Sequence, residues 1–136
     1  MLIAFWRGRR WFAPGPYSHV TLIDIRDETW VQIDVGRDRA EIVPFHSKDE
    51  VDQRLSVLTE SCKILKFEPT EYAGRGYLAR LSCVSFAIHY TGIRSRALFP
   101  SGLMRDLLRN GAEEIHDPEK TSRVRGIDPE PSAGSS

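Results

Sequence analysis

Cysteine is scarce in this sequence: Cys62 and Cys83 are the only two among 136 residues. Two thiols cannot build a disulfide framework, and a chain so poor in cysteine suits a reducing compartment. Net charge is missing as well, since Lys and Arg together number 19 and Asp and Glu number 19. No global field therefore draws the chain to nucleic acid or to an anionic membrane. Arg7, Arg9, Arg10, Arg37 and Arg39 are locally basic, but no aromatic and basic platform accompanies them, so nucleic acid is not an expected partner. Long apolar runs are missing too. The opening Met-Leu-Ile-Ala-Phe-Trp6 leads directly into Arg7, too short and in the wrong charge order for a signal peptide, and no stretch approaches a membrane span. His46, Cys62, Cys83 and His89 lack the close ligand pairs of structural zinc motifs, so neither a metal nor another cofactor is expected.

What is present is a globular composition. With 40% hydrophobic residues, a chain of this length suits one domain that buries about two-thirds of its unfolded surface. Leu2 to Trp6 reads as a short buried strand at a sheet edge, followed by a solvated basic turn and the rings of Trp11 and Phe12. Ala40 to Phe45 reads as another strand, with Pro44 marking its end or an edge. Ser47-Lys-Asp-Glu50 has the form of a capping box and opens a helix over 47–60. Val51, Leu55 and Leu58 form its apolar stripe, with Asp49, Asp52, Gln53 and Arg54 toward water. Lys63 to Phe67 predicts a strand. A loop over 68–76 follows, placed to cover or open a site at Cys83. A helix over 100–110 carries Leu103, Met104, Leu107 and Leu108 and stops at Asn110-Gly111. From Asp117 onward, prolines, glycines, charges and serines predict an extended or disordered tail, or a partner-binding arm.

The clearest pattern lies over residues 19–35, where β-branched and aromatic residues alternate on either side of Arg26-Asp27-Glu28. This predicts a β-hairpin. A two-residue turn at Asp27 and Glu28 places Ile25 opposite Trp30, Ile23 opposite Gln32 and Thr21 opposite Asp34. Cross-strand partners share a face, so His19 becomes the diagonal neighbour of Asp34. A turn one residue longer separates them onto opposite faces. Together they offer the base and orienting acid of a thiol enzyme, with Gln32 as the alternative orienter. The same pattern also suits a surface hairpin whose His and Asp are merely solvated.

The thiol itself is expected at Cys83. Ser82 suits an N-cap, and Val84, Phe86, Ala87, Ile88 and Tyr90 recur at helical spacing until Gly92. Unpaired amides and the positive end of a helix dipole stabilise a thiolate in a first turn. The alternative is a small core side chain between Leu81 and Val84. His89 lies nearly opposite Cys83 on the helix and reads as a surface residue. No Gln lies near Cys83 to help hold an oxyanion, which leaves backbone amides, with the Tyr77 hydroxyl as an addition; Tyr77 reads first as an ordinary strand aromatic.

His19 followed by Trp30-Val-Gln-Ile-Asp34 resembles the His and Asp strands of transglutaminase-like and other papain-like thiol enzymes. Tyr17-Ser18-His19-Val20 is similar to the His strand of NlpC-like peptidases and lecithin retinol acyltransferase-like proteins. Cys83 follows His19 here, the order of the circularly permuted branch. Cys83 to Ile93, with Leu98 to Gly111, also resembles small proteins encoded by tailed bacteriophages. The likeness covers residues 17–111.

The elements above make one α+β domain over residues 1–116, an antiparallel sheet packed by three helices, with 117–136 as the tail; the resemblance implies that they follow a permuted papain-like order. The implied activity is that of a thiol-dependent hydrolase or acyltransferase. The expected substrate is a peptide or a peptidoglycan crossbridge, with Cys83, His19 and Asp34 as the triad. The competing expectation is a non-enzymatic virion, tail or head–tail assembly protein that keeps the scaffold and binds other virion proteins through the tail. Either places the chain in the host cytoplasm or on the virion, without a membrane partner.

Overall fold

The hairpin expected from the sequence forms two adjacent strands of the sheet. β2 (Tyr17–Arg26) and β3 (Thr29–Val35) pair with Thr21 opposite Asp34, Ile23 opposite Gln32 and Ile25 opposite Trp30. The two-residue turn holds Asp27 at φ 49° and Glu28 at φ 65°. Positive φ at both central residues is the type I′ geometry, whose twist matches that of the flanking strands.

The computed structural model describes residues 1–8, 14–36, 39–70 and 82–120. They form an α+β fold with six antiparallel strands in the order β4-β3-β2-β1-β5-β6. The remaining strands are β1 (Leu2–Arg7), β4 (Ala40–Pro44), β5 (Cys62–Lys66) and β6 (Glu113–His116). The helices are α1 (Lys48–Ser61), α2 (Cys83–Thr91) and α3 (Pro100–Arg109). Among the described residues no helix is long and apolar enough to cross a membrane.

β1 is not an edge strand as its sequence suggested. It lies between β2 and β5 and pairs with both. Ile3, Ala4 and Phe5 have at most 1% exposure, because both faces of a central strand are covered. Such strands read as short continuous apolar runs, which is the pattern of Leu2 to Trp6. β4 does occupy an edge, and Pro44 ends it without removing a needed donor.

The sheet carries a core on each face. Ile3, Phe5, Val20, Leu22, Ile33, Val35 and Leu65 face α2 and α3, meeting Val84, Ala87, Leu103, Met104 and Leu107. Ala4, Ile23, Cys62 and Ile64 face α1 and close around the fully buried Leu58. Leu108 is exposed rather than part of the α3 stripe. α1 is capped by Ser47, which accepts from the Glu50 amide, while the Glu50 carboxylate reaches the His46 amide instead of completing the reciprocal box.

The first residues of the expected tail are fastened to the sheet. Lys63 pairs with Glu114 at 2.7 Å and with Asp117 at 3.9 Å, and Arg7 pairs with Glu119. The rest of the tail, 121–136, lies outside the described residues, as do most of the 68–76 loop and Tyr77.

Candidate active site

Local sequence sets the start of α2. Ser82 is the N-cap, its hydroxyl accepting from the Ser85 amide while the Ser85 hydroxyl accepts from the Ser82 amide. This reciprocal capping box fixes the first turn and places Cys83 at its first helical position. At the other end Gly92 ends the helix in the left-handed region, φ 76°. A Cβ there would lie 2.5 Å from the Thr70 carbonyl oxygen.

The sheet provides the opening that α2 meets. Pairing of β2 with β3 stops at the Thr21–Asp34 rung, so the next residues of β2, Val20 and His19, have no β3 residue paired opposite them. Beside them the β1–β2 register shifts after Trp6, which stands opposite His19, so that Arg7 stands opposite Tyr17. The bulge turns Tyr17 onto the α2 and α3 face, against Phe5, and leaves His19 on the face of Asp34. Bulges re-aim side chains in this way.

Three sequence-derived candidates meet there. His19 Nε2 lies 3.0 Å from Asp34 Oδ1, and the Cys83 thiol stands close enough to the His19 ring for each to shift the other's titration. An ionised carboxylate can only accept, so Nε2 bears a proton and Nδ1 is the nitrogen left for sulfur. The His19 and Asp34 side chains are 29% and 25% exposed, so solvent screens their interaction only in part. Gln32 does not touch the ring; its Nε2 donates to Asp34 Oδ2 at 2.5 Å.

The titrations follow from these contacts. His19 is raised from 6.5 to about 9, first by its hydrogen bond to Asp34 and then by that to Cys83. Burial pushes the Cys83 thiol up, but the His19 bond and charge, with backbone amides of Val20 and Val84, outweigh it and bring the thiol below its ordinary value. Burial also opposes ionisation of Asp34, and donation from His19, Thr21 and Gln32 holds it below the usual carboxylate value all the same. Sulfur and ring therefore favour the thiolate–imidazolium form. Cys62 is the contrast: fully buried, it is pushed up to about 12 by desolvation.

Sequence reasoning missed the residues that hold Asp34 from behind. Thr21 Oγ1 donates to Asp34 Oδ1 at 2.5 Å and accepts from Trp6 Nε1 at 2.8 Å. Arg54 does not face water: its Nε donates to Gln32 Oε1 at 2.5 Å, and its Cζ lies 5.9 Å from the Trp6 ring centroid. The signal was legible, because Arg54 stands three residues after Val51 and four before Leu58, inside the apolar stripe.

No protein-family model, curated protein or solved structure matches this chain.

Proposed function

We propose that this protein is a thiol-dependent hydrolase or acyltransferase of permuted papain-like architecture, acting on an amide bond in a peptide or a peptidoglycan crossbridge. The observation that carries the reading is the His19–Asp34 pair at 3.0 Å with the Cys83 thiol beside it, His19 and Cys83 each favouring the charged form of the other. In this mechanism the Cys83 thiolate attacks the carbonyl carbon and forms a C–S bond. The developing oxyanion turns toward the Cys83 amide, which as the first amide of α2 has no intrahelical acceptor. His19 gives its proton to the leaving nitrogen as the C–N bond breaks. Water or an amine, deprotonated by His19, then attacks the thioester and frees Cys83. Asp34 keeps the ring oriented through both half-reactions and remains ionised.

The test is cleavage of crossbridged peptidoglycan fragments and of a mixed peptide library, read by mass spectrometry for wild type and Cys83→Ala. New amine and carboxyl termini with wild type alone are expected. Their absence on every substrate, with the fold intact, favours a non-enzymatic virion assembly protein. The observation favouring that second reading is the exposed edge strand β4, on which Ile42 is 66% and Val43 44% exposed.

A further inference from the structure

Behind the three reacting groups lies a set of contacts with a direction. Arginine can only donate and an ionised carboxylate can only accept. Gln32, buried to 6% exposure, joins one to the other: its Oε1 accepts from Arg54 Nε and its Nε2 donates to Asp34 Oδ2, both at 2.5 Å. The amide thus has a single orientation that satisfies both neighbours. Without the arginine the buried carbonyl oxygen loses its donor, and rotation to find another pulls the NH2 away from Asp34. The Thr21 arm follows the same rule. Indole N–H only donates, so Thr21 accepts from Trp6 and turns its own hydrogen to Asp34 Oδ1. Arg54 stacks over that same Trp6 and so stands at the head of both arms.

We propose that Arg54 is a positioning residue for the Cys83–His19–Asp34 site: through Gln32 on one side and Trp6–Thr21 on the other, it fixes the Asp34 carboxylate so that Oδ1 meets the His19 ring. The inference rests on the functional reading above and extends it to a residue on α1 that touches neither sulfur nor imidazole. The groups facing His19 are Asp34 from β3 and Cys83 from α2; Arg54 of α1 stands behind Gln32, and Cys62 of β5 lies opposite Trp6. Loosening Asp34 weakens its hold on the imidazolium, and the imidazolium in turn stabilises the thiolate. Losing the Arg54 cation acts on the thiolate in the same sense, so the neutral Gln32 variant is the one that isolates geometry from charge.

The experiment is the pH profile of Cys83 alkylation by iodoacetamide, from about pH 5 to about pH 10, in the folded full chain. The variants are Arg54→Met, Gln32→Met and the double variant. In each single variant the inflection moves to higher pH and the rate at about pH 6.5 falls about five-fold, while the high-pH plateau stays in place because the thiol remains equally accessible. Residues in one hydrogen-bonded path are not additive, so the double variant is no slower than the slower single variant. Wild-type profiles in both single variants, or losses that multiply in the double, overturn the proposal. If Arg54→Met fails to fold by circular dichroism, Gln32→Met decides: an unchanged rate at about pH 6.5 overturns it. His19→Ala in the same series separates the two levels. A Cys83 rate indifferent to His19 removes the functional reading itself, whereas a slow His19→Ala beside normal Arg54 and Gln32 variants removes only the positioning role.

Discussion

Removing the His19 ring should cost Cys83 most of its advantage over Cys62 as a nucleophile. In the folded chain the thiol is brought down by the His19 hydrogen bond and charge, against a burial effect that alone would raise it. His19→Ala removes both and leaves burial opposed only by the Val20 and Val84 amides. Without them the thiol rises, and the thiolate population at about pH 6.5 falls with it, about ten-fold for each pKa unit. Cys62 sets the background: with its thiol pushed up to about 12, roughly three molecules in a million carry its thiolate at about pH 6.5, and the side chain is fully buried besides. Iodoacetamide labelling of the folded protein, stopped by acid and read by peptide mass spectrometry, should modify Cys83 well before Cys62. His19→Ala should remove much of that preference, and Asp34→Ala less, because Asp34 acts on the ring and not on sulfur. Equal labelling of the two cysteines in wild type, or a Cys83 rate unchanged by His19→Ala, would refute the reasoning.

Stability should report the same pair through its pH dependence. His19, raised to about 9, stabilises the fold fully below its unfolded value of about 6.5 and loses that contribution as pH climbs through about 9; the lowered Cys83 acts in the opposite sense, its contribution complete above the unfolded thiol value and lost as pH falls through the folded one. Cys83→Ser removes the compensating thiol, so its stability should fall with rising pH more steeply than that of wild type, by up to about 1.4 kcal/mol per pH unit; parallel urea-unfolding results at about pH 6.5 and about pH 8 would contradict this. Glu28→Gly should stabilise by up to about 1 kcal/mol, because glycine relieves a positive φ of 65° in a type I′ turn; a lower melting temperature would count against that turn geometry. Gly92→Ala should destabilise by about 1–3 kcal/mol, since it combines φ 76° with a Cβ 2.5 Å from the Thr70 carbonyl, and an unchanged denaturation midpoint would show that the helix end is not held this way.

The hairpin was legible because strand alternation and turn length are local properties. Once Asp27 and Glu28 form the turn, the strand period leaves His19 and Asp34 one relative placement. The cap at Ser82 and the stop at Gly92 were equally local and stand where sequence placed them. Strand order was not legible, because Leu2 to Trp6 is too short for its composition to tell an edge strand from a central one, and β5 and β6 flank it from far along the chain. β6 itself, Glu113–His116, has only four residues and carries no clear period. Arg54 was misread for another reason: charge was given precedence over position in the stripe, although a long side chain can stack its stem on an aromatic ring and reach a polar partner beyond it. The support behind Asp34 is tertiary, drawn from β1, β2, β3 and α1, and no single window of sequence contains it.

The central claim is that Cys83 performs acyl transfer with His19 and Asp34 behind it. Intact-protein and peptide mass spectrometry after brief exposure to an activated ester, p-nitrophenyl acetate, tests that claim most directly. Wild type should show a burst of p-nitrophenol with the acetyl group on Cys83 as a thioester that turns over, His19→Ala should form it slowly, and Cys83→Ala should not form it. Acetylation that spares Cys83, or that forms at the same rate without His19, would contradict the account.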